Sequence, residues 1–226
     1  MFSEKSLKRL TGFLYLFILA TSALSGGLTV GRKTDPEKIG NTLRNIAEDP
    51  EKYRIGITFD LVSHMAIIAI ASALYLTFNK YNRQLALFGT LWRVVEGVIM
   101  VFTEINNLVL LGVAENYLAA TGTKAEALEI TARGIILMEN WGVTFGLVFL
   151  ALGALAYNIL FISRNAVPQP LGWIGVIASV LGIVGTVLGL VIPNLLFVLT
   201  IGIIIMMLYE IAFGVWLLSS GNSQNK

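Results

Sequence analysis

Six long apolar stretches, separated by polar segments or by a Pro-Asn break, decide what this chain can become. A helix needs about 20 mainly apolar residues to cross a bilayer. The stretches cover about 10–30, 55–78, 85–113, 134–162, 171–192 and 195–218. Hydrocarbon offers no water to backbone N–H and C=O groups, so each stretch must satisfy its own by coiling into a helix. The expected fold is therefore all-α: a polytopic membrane helix bundle with six transmembrane helices, forming a single integral membrane domain over residues 1–226. Composition agrees, with 56% apolar and 13% charged residues and a mean hydropathy of +0.77. That is too oily for a soluble domain of this length. Cysteine is absent, which removes disulfides, thiolate metal sites and thiol nucleophiles together.

Local signals mark where the helices begin and end. Lys5, Lys8 and Arg9 precede the first stretch, which reads as an uncleaved helix rather than a signal peptide because five more spans follow it. Two DPE triplets, Asp35-Pro36-Glu37 and Asp49-Pro50-Glu51, place a capping Asp, a Pro suited to the first helical position and an early Glu in the order a helix start favours. Between them Ile39, Leu43, Ile46 and Ala47 recur at helical spacing, predicting a short amphipathic helix along the membrane surface. Thr123-Lys124-Ala125-Glu126 has the form of a capping box and predicts a further helix start, while Pro193-Asn194 splits the last two spans. The tail after Leu218 is polar.

Basic residues set the expected orientation. With a cytoplasmic N-terminus, that side holds seven basic residues against Glu4, a net of +6, and the opposite side holds eight basic and eight acidic residues, a net of zero. The positive-inside rule then puts both termini in the cytoplasm. The expected location is the cell (plasma) membrane.

The apolar stretches are not free of charge. Arg93, Glu96, Glu104 and Asn107 fall on one side of the third span, since eleven residues bring Glu104 within roughly 20° of Arg93. Asp60 and His64 are four apart and share a face of the second span. At about 1.5 Å per residue, Asp60 lies roughly 8 Å below the outer surface, His64 and Glu96 about 14 Å and Arg93 about 18 Å. These depths make Asp60, His64, Arg93 and Glu96 the candidate intramembrane polar cluster, with Glu104, Asn107, Glu139 and Glu210 secondary. Glu104 and Glu139 come near span ends and are expected to reach water by snorkelling.

A charge in hydrocarbon is expensive unless paired or hydrated, so it raises a functional question by default. Three roles stand open: a structural or regulatory membrane component whose charges pin helices, a small proton-linked or solute channel or carrier, and an intramembrane enzyme. The order is that of the support each has, because Arg93 and Glu96 can neutralise each other on one helix. No catalytic residue is identified. HExxH and GxSxG are absent, and Gly26 to Thr34 only imitates a phosphate loop, with Arg32 inserted before Lys33 and no preceding strand. One histidine and no cysteine leave no expected metal site or cofactor. The expected partners are the lipid bilayer and a proton or small solute, not nucleic acid.

Small residues are also spaced for packing. Gly142 and Gly146, Gly185 and Gly189, and the run Gly175, Ser179, Gly182 let helices approach closely and are expected inside the bundle. Trp141, Trp173 and Trp216, with Tyr53, Tyr75 and Tyr117, fall near span ends and fit interfacial belts.

Several of these pieces occur in a familiar order. Arg9-Leu10-Thr11-Gly12-Phe13-Leu14-Tyr15, Arg54-Ile55-Gly56 through Asp60-Leu61, Leu74-Tyr75, Asn82-Arg83, Arg93, Gly146-Leu147-Val148-Phe149 and Pro170-Leu171-Gly172 together resemble the domain-of-unknown-function 4386 family. The resemblance spans nearly the whole chain. It implies a bacterial or archaeal six-span membrane protein and supplies no activity.

Overall fold

The computed structural model describes residues 3–29 and 38–220. Val30, the first DPE, the end of the phosphate-loop imitation and the tail after Ser220 lie outside them. The elements in order are α1 (Glu4–Leu28), α2 (Ile39–Ala47), α3 (Pro50–Phe78), α4 (Arg83–Tyr117), α5 (Thr123–Arg164), α6 (Gln169–Val191), a 3-10 turn (Pro193–Leu195) and α7 (Phe197–Ser220). Among the described residues there is no strand, and six helices are long and apolar enough to span a membrane.

Helix starts follow local chemistry. Pro50 opens α3, and Asp49 Oδ1 accepts the N–H of Lys52 at 3.0 Å. Asn82 Oδ1 accepts the N–H groups of Gln84 and Leu85 at 3.1 and 3.2 Å and so caps α4. Gly122, at φ +58, turns the chain into α5 in a conformation that side chains disfavour. At the other end of α5, Asn165 at φ 50 lets its own N–H reach Ile162 O and that of Ala166 reach Phe161 O, a Schellman ending.

The helices are longer than the apolar stretches inside them. Thr123 begins not a separate helix but a continuous one of 42 residues, ending at Arg164. At 1.5 Å per residue that is about 63 Å, twice the hydrocarbon thickness. Its first turns are polar and hold their backbone bonds in water as well as in lipid.

The chain forms two compact units. The first comprises residues 1–19, 65–98 and 144–226. Its core gathers aromatic rings from four helices: Phe78 and Phe161 are 4.6 Å apart between centroids, and Phe213 packs on Tyr15 at 5.4 Å and Tyr209 at 5.6 Å. Every buried residue of α6 is Gly, Ala, Ser or Thr. A Cβ on Gly202 would stand 2.7 Å from Gly182 N, and one on Gly12 2.6 Å from Gly214 O, so α7 touches both α6 and α1 almost backbone to backbone.

The second unit comprises residues 20–64 and 99–143. Here the apolar face of α2, expected to meet lipid, is covered by protein. Ile39, Leu43, Ile46 and Ala47 are buried in one cluster with Tyr53, Ile57, Leu110, Leu111, Ala114, Tyr117 and Ala132. Protein side chains from α3, α4 and α5 take the apolar face that the sequence alone assigns to lipid, because α4 and α5 extend far enough past their apolar stretches to receive it. Gly142 is packed as expected, with its missing Cβ leaving room for Thr103.

Candidate functional site

In the first unit, Arg93 is the centre of a buried ion triad. Arg93 and Glu96 are each 3% exposed and Glu210 is 9% exposed. Arg93 Nη1 stands 3.0 Å from Glu96 Oε2, one turn along α4, and 3.6 Å from Glu210 Oε1 on α7. The stem of Arg93 lies over Gly153, where a Cβ would meet Arg93 Cγ at 2.9 Å, so α5 supplies the space through which the guanidinium reaches its partners. Hydroxyls bond nearby residues of the same unit. Thr90 Oγ1 and Tyr157 OH are 2.7 Å apart, and Tyr209 OH donates to Asn158 Oδ1 at 2.8 Å.

In the second unit further polar residues bond one another. Tyr53 OH donates to Asn107 Oδ1 at 3.0 Å, Asn107 Nδ2 donates to Glu104 Oε2 at 3.1 Å, and Glu104 Oε1 lies 3.5 Å from His64 Nδ1. Separately, Ser25 Oγ donates to Asp60 Oδ2, and Ser22 and Ser63 hydroxyls meet at 2.7 Å. Among the described residues, no three His, Cys, Asp or Glu side chains gather as a metal-holding group.

The charged residues singled out from the sequence, Glu139 aside, therefore have named neighbours. Arg93 pairs with Glu96 as the three-residue spacing allows, and its second carboxylate is Glu210. His64 faces Glu104, and Asp60 is bonded by Ser25. Glu104 departs from the expectation of snorkelling: it is 5% exposed, because Asn107 and His64 give it an interior partner set that spares it the reach to water. Glu139 is half-buried. Tyr53 and Tyr117 are not belt residues; both are buried, with their hydroxyls donated to Asn107 and Glu129. Trp141 and Trp173 are exposed, as an interfacial ring would be.

The order of these residues along the chain matches a known pattern. A family model described as a domain of unknown function (DUF4386) matches residues 10–221. The chain belongs to that family. The match takes in all six spans of the DUF4386 bundle, with the triad and the Tyr53 to His64 chain, and it carries no activity. No curated protein and no solved structure matches the chain.

Chemically, the DUF4386 triad sets one cation against two carboxylates. The surplus negative charge in a low-dielectric interior calls for a proton or another cation. Arg93 Nε, Glu96 Oε2 and His64 Nδ1 are buried without a hydrogen-bond partner among the described residues, although Glu96 Oε2 and His64 Nδ1 each have the ionic neighbour given above. Ser25, Tyr53 and Tyr157 enter these networks without a sequence signal, since a hydroxyl in an apolar helix looks the same whether it bonds its own backbone or a neighbour. Glu210 was visible as a lone charge in α7; its partner was not.

Proposed function

We propose that the protein is a structural or regulatory component of the plasma membrane, with both termini in the cytoplasm, in which the Arg93 triad ties α4 to α7. The observation that carries this reading is the pairing of one buried guanidinium with carboxylates from two helices. Glu96 neutralises Arg93 on its own helix, and Glu210 makes the link between helices. The surplus carboxylate gives the link a regulatory side: gain or loss of one proton changes the charge that α7 presents to α4. The orientation rests on the net of +6 on one side against zero on the other.

A second reading, a proton-linked channel or carrier, draws on the unpartnered Arg93 Nε and on the polar chain Tyr53, Asn107, Glu104 and His64. Proton flux into proteoliposomes under an imposed pH gradient separates the two. A structural role gives flux equal to that of empty vesicles for the wild type and for Glu210→Gln. Flux in the wild type that Glu210→Gln abolishes overturns the structural reading in favour of the carrier.

A further inference from the structure

The second unit contains a pocket of ≈ 370 Å³ that none of the networks above uses. Its wall combines the start of α2, the end of α4 and the early turns of α5, with Lys38, Arg44 and Arg133 contributing cations. Among the described residues Glu129 is the one acidic member of the lining, and the Tyr117 hydroxyl donates to its Oε1. Gly40 makes this arrangement possible. A Cβ there would stand 2.5 Å from Tyr117 Oη and 2.8 Å from Glu129 Oε1, so any larger residue would push the pair apart. Among the described residues the lining thus carries three cations against one carboxylate that is already accepting a hydrogen bond.

Two further features give the pocket its chemistry. α2 starts at this wall, and among the described residues no side chain caps it, so the positive end of its helix dipole lies beside the three cations. Tyr117, Glu129 and Arg133 flank the apolar stretches of α4 and α5, the level at which phospholipid headgroups lie. Arginine offers a planar fork that matches phosphate oxygens in pairs, and lysine adds a mobile point charge.

We infer that this pocket binds a phosphate group, carried by an anionic phospholipid headgroup or free in solution. The site belongs wholly to the second unit and does not depend on the role of the Arg93 triad.

The test uses the full chain purified in a zwitterionic detergent-lipid micelle, titrated with short-chain phosphatidylglycerol, short-chain phosphatidylcholine or inorganic phosphate, with thermal unfolding and calorimetry as readouts. Saturable binding of phosphatidylglycerol is expected, weakened at least about tenfold in the double variant R44Q/R133Q. Lys124→Gln removes a charge outside the lining and should bind as the wild type does. R44K/R133K keeps the charge but loses the fork, so its affinity should fall between those of the wild type and R44Q/R133Q, which separates loss of the site from loss of the fold. Binding of phosphatidylglycerol alone assigns the headgroup as ligand; binding of inorganic phosphate as well assigns the phosphate group itself. Equal binding of phosphatidylcholine and phosphatidylglycerol, no saturable binding of either anion, or unchanged affinity in R44Q/R133Q overturns the inference.

Discussion

Asn107 bonds two groups at once, the Tyr53 hydroxyl and the Glu104 carboxylate. Asn107→Leu keeps the volume and removes both bonds. Leaving buried partners unsatisfied costs about 1 to 3 kcal/mol each. The expected outcome is a loss of roughly that size in unfolding measured in micelles, with Tyr53→Phe milder because it removes one of the two bonds. At this scale the sequence was informative about which residues are polar and poor about whom they meet. The spacing of Arg93 and Glu96 gave their pairing, because three residues on a helix fix a direction. The pairing of Arg93 with Glu210 depends on how α7 packs, and no local pattern encodes it. Glu104 shows the converse: its position near a span end pointed to water, and two neighbours hold it inside.

Among the elements, α6 and α7 depend most on what is missing from their side chains. Gly202 lies against the backbone of Gly182 and Leu181, neither of which can yield as a flexible side-chain tip would. Gly202→Leu should therefore cost about 3 kcal/mol or more, at the upper end of overpacking effects, whereas Gly26→Leu, with no described residue within 4 Å of its Cβ position, should leave unfolding in micelles nearly unchanged. At helix starts, Asp49→Ala removes the cap on α3 and should cost about 1 kcal/mol. Starts and breaks were legible because they are written in a few adjacent residues: Asp49-Pro50 opens α3 and Pro193-Asn194 separates α6 from α7. Helix lengths were not, since apolarity marks the portion that suits hydrocarbon and α5 keeps its helical bonds well beyond it. The burial of α2 was hidden for the same reason.

For the molecule as a whole, orientation and charge compensation are the matters to test. Reporter fusions at Lys38 and at Glu115 should show external activity, and one at the C-terminus cytoplasmic activity, given the net of +6 against zero. The reverse pattern would invert the bundle. The central claim is that the buried charges pin α4 to α7, and unfolding of Arg93→Ala beside R93M/E96L/E210L tests it most directly. Arg93→Ala strands two carboxylates and should lose about 3 to 5 kcal/mol, while the triple apolar variant, with no charge left to compensate, should unfold close to the wild type. A triple variant as unstable as Arg93→Ala would contradict the account.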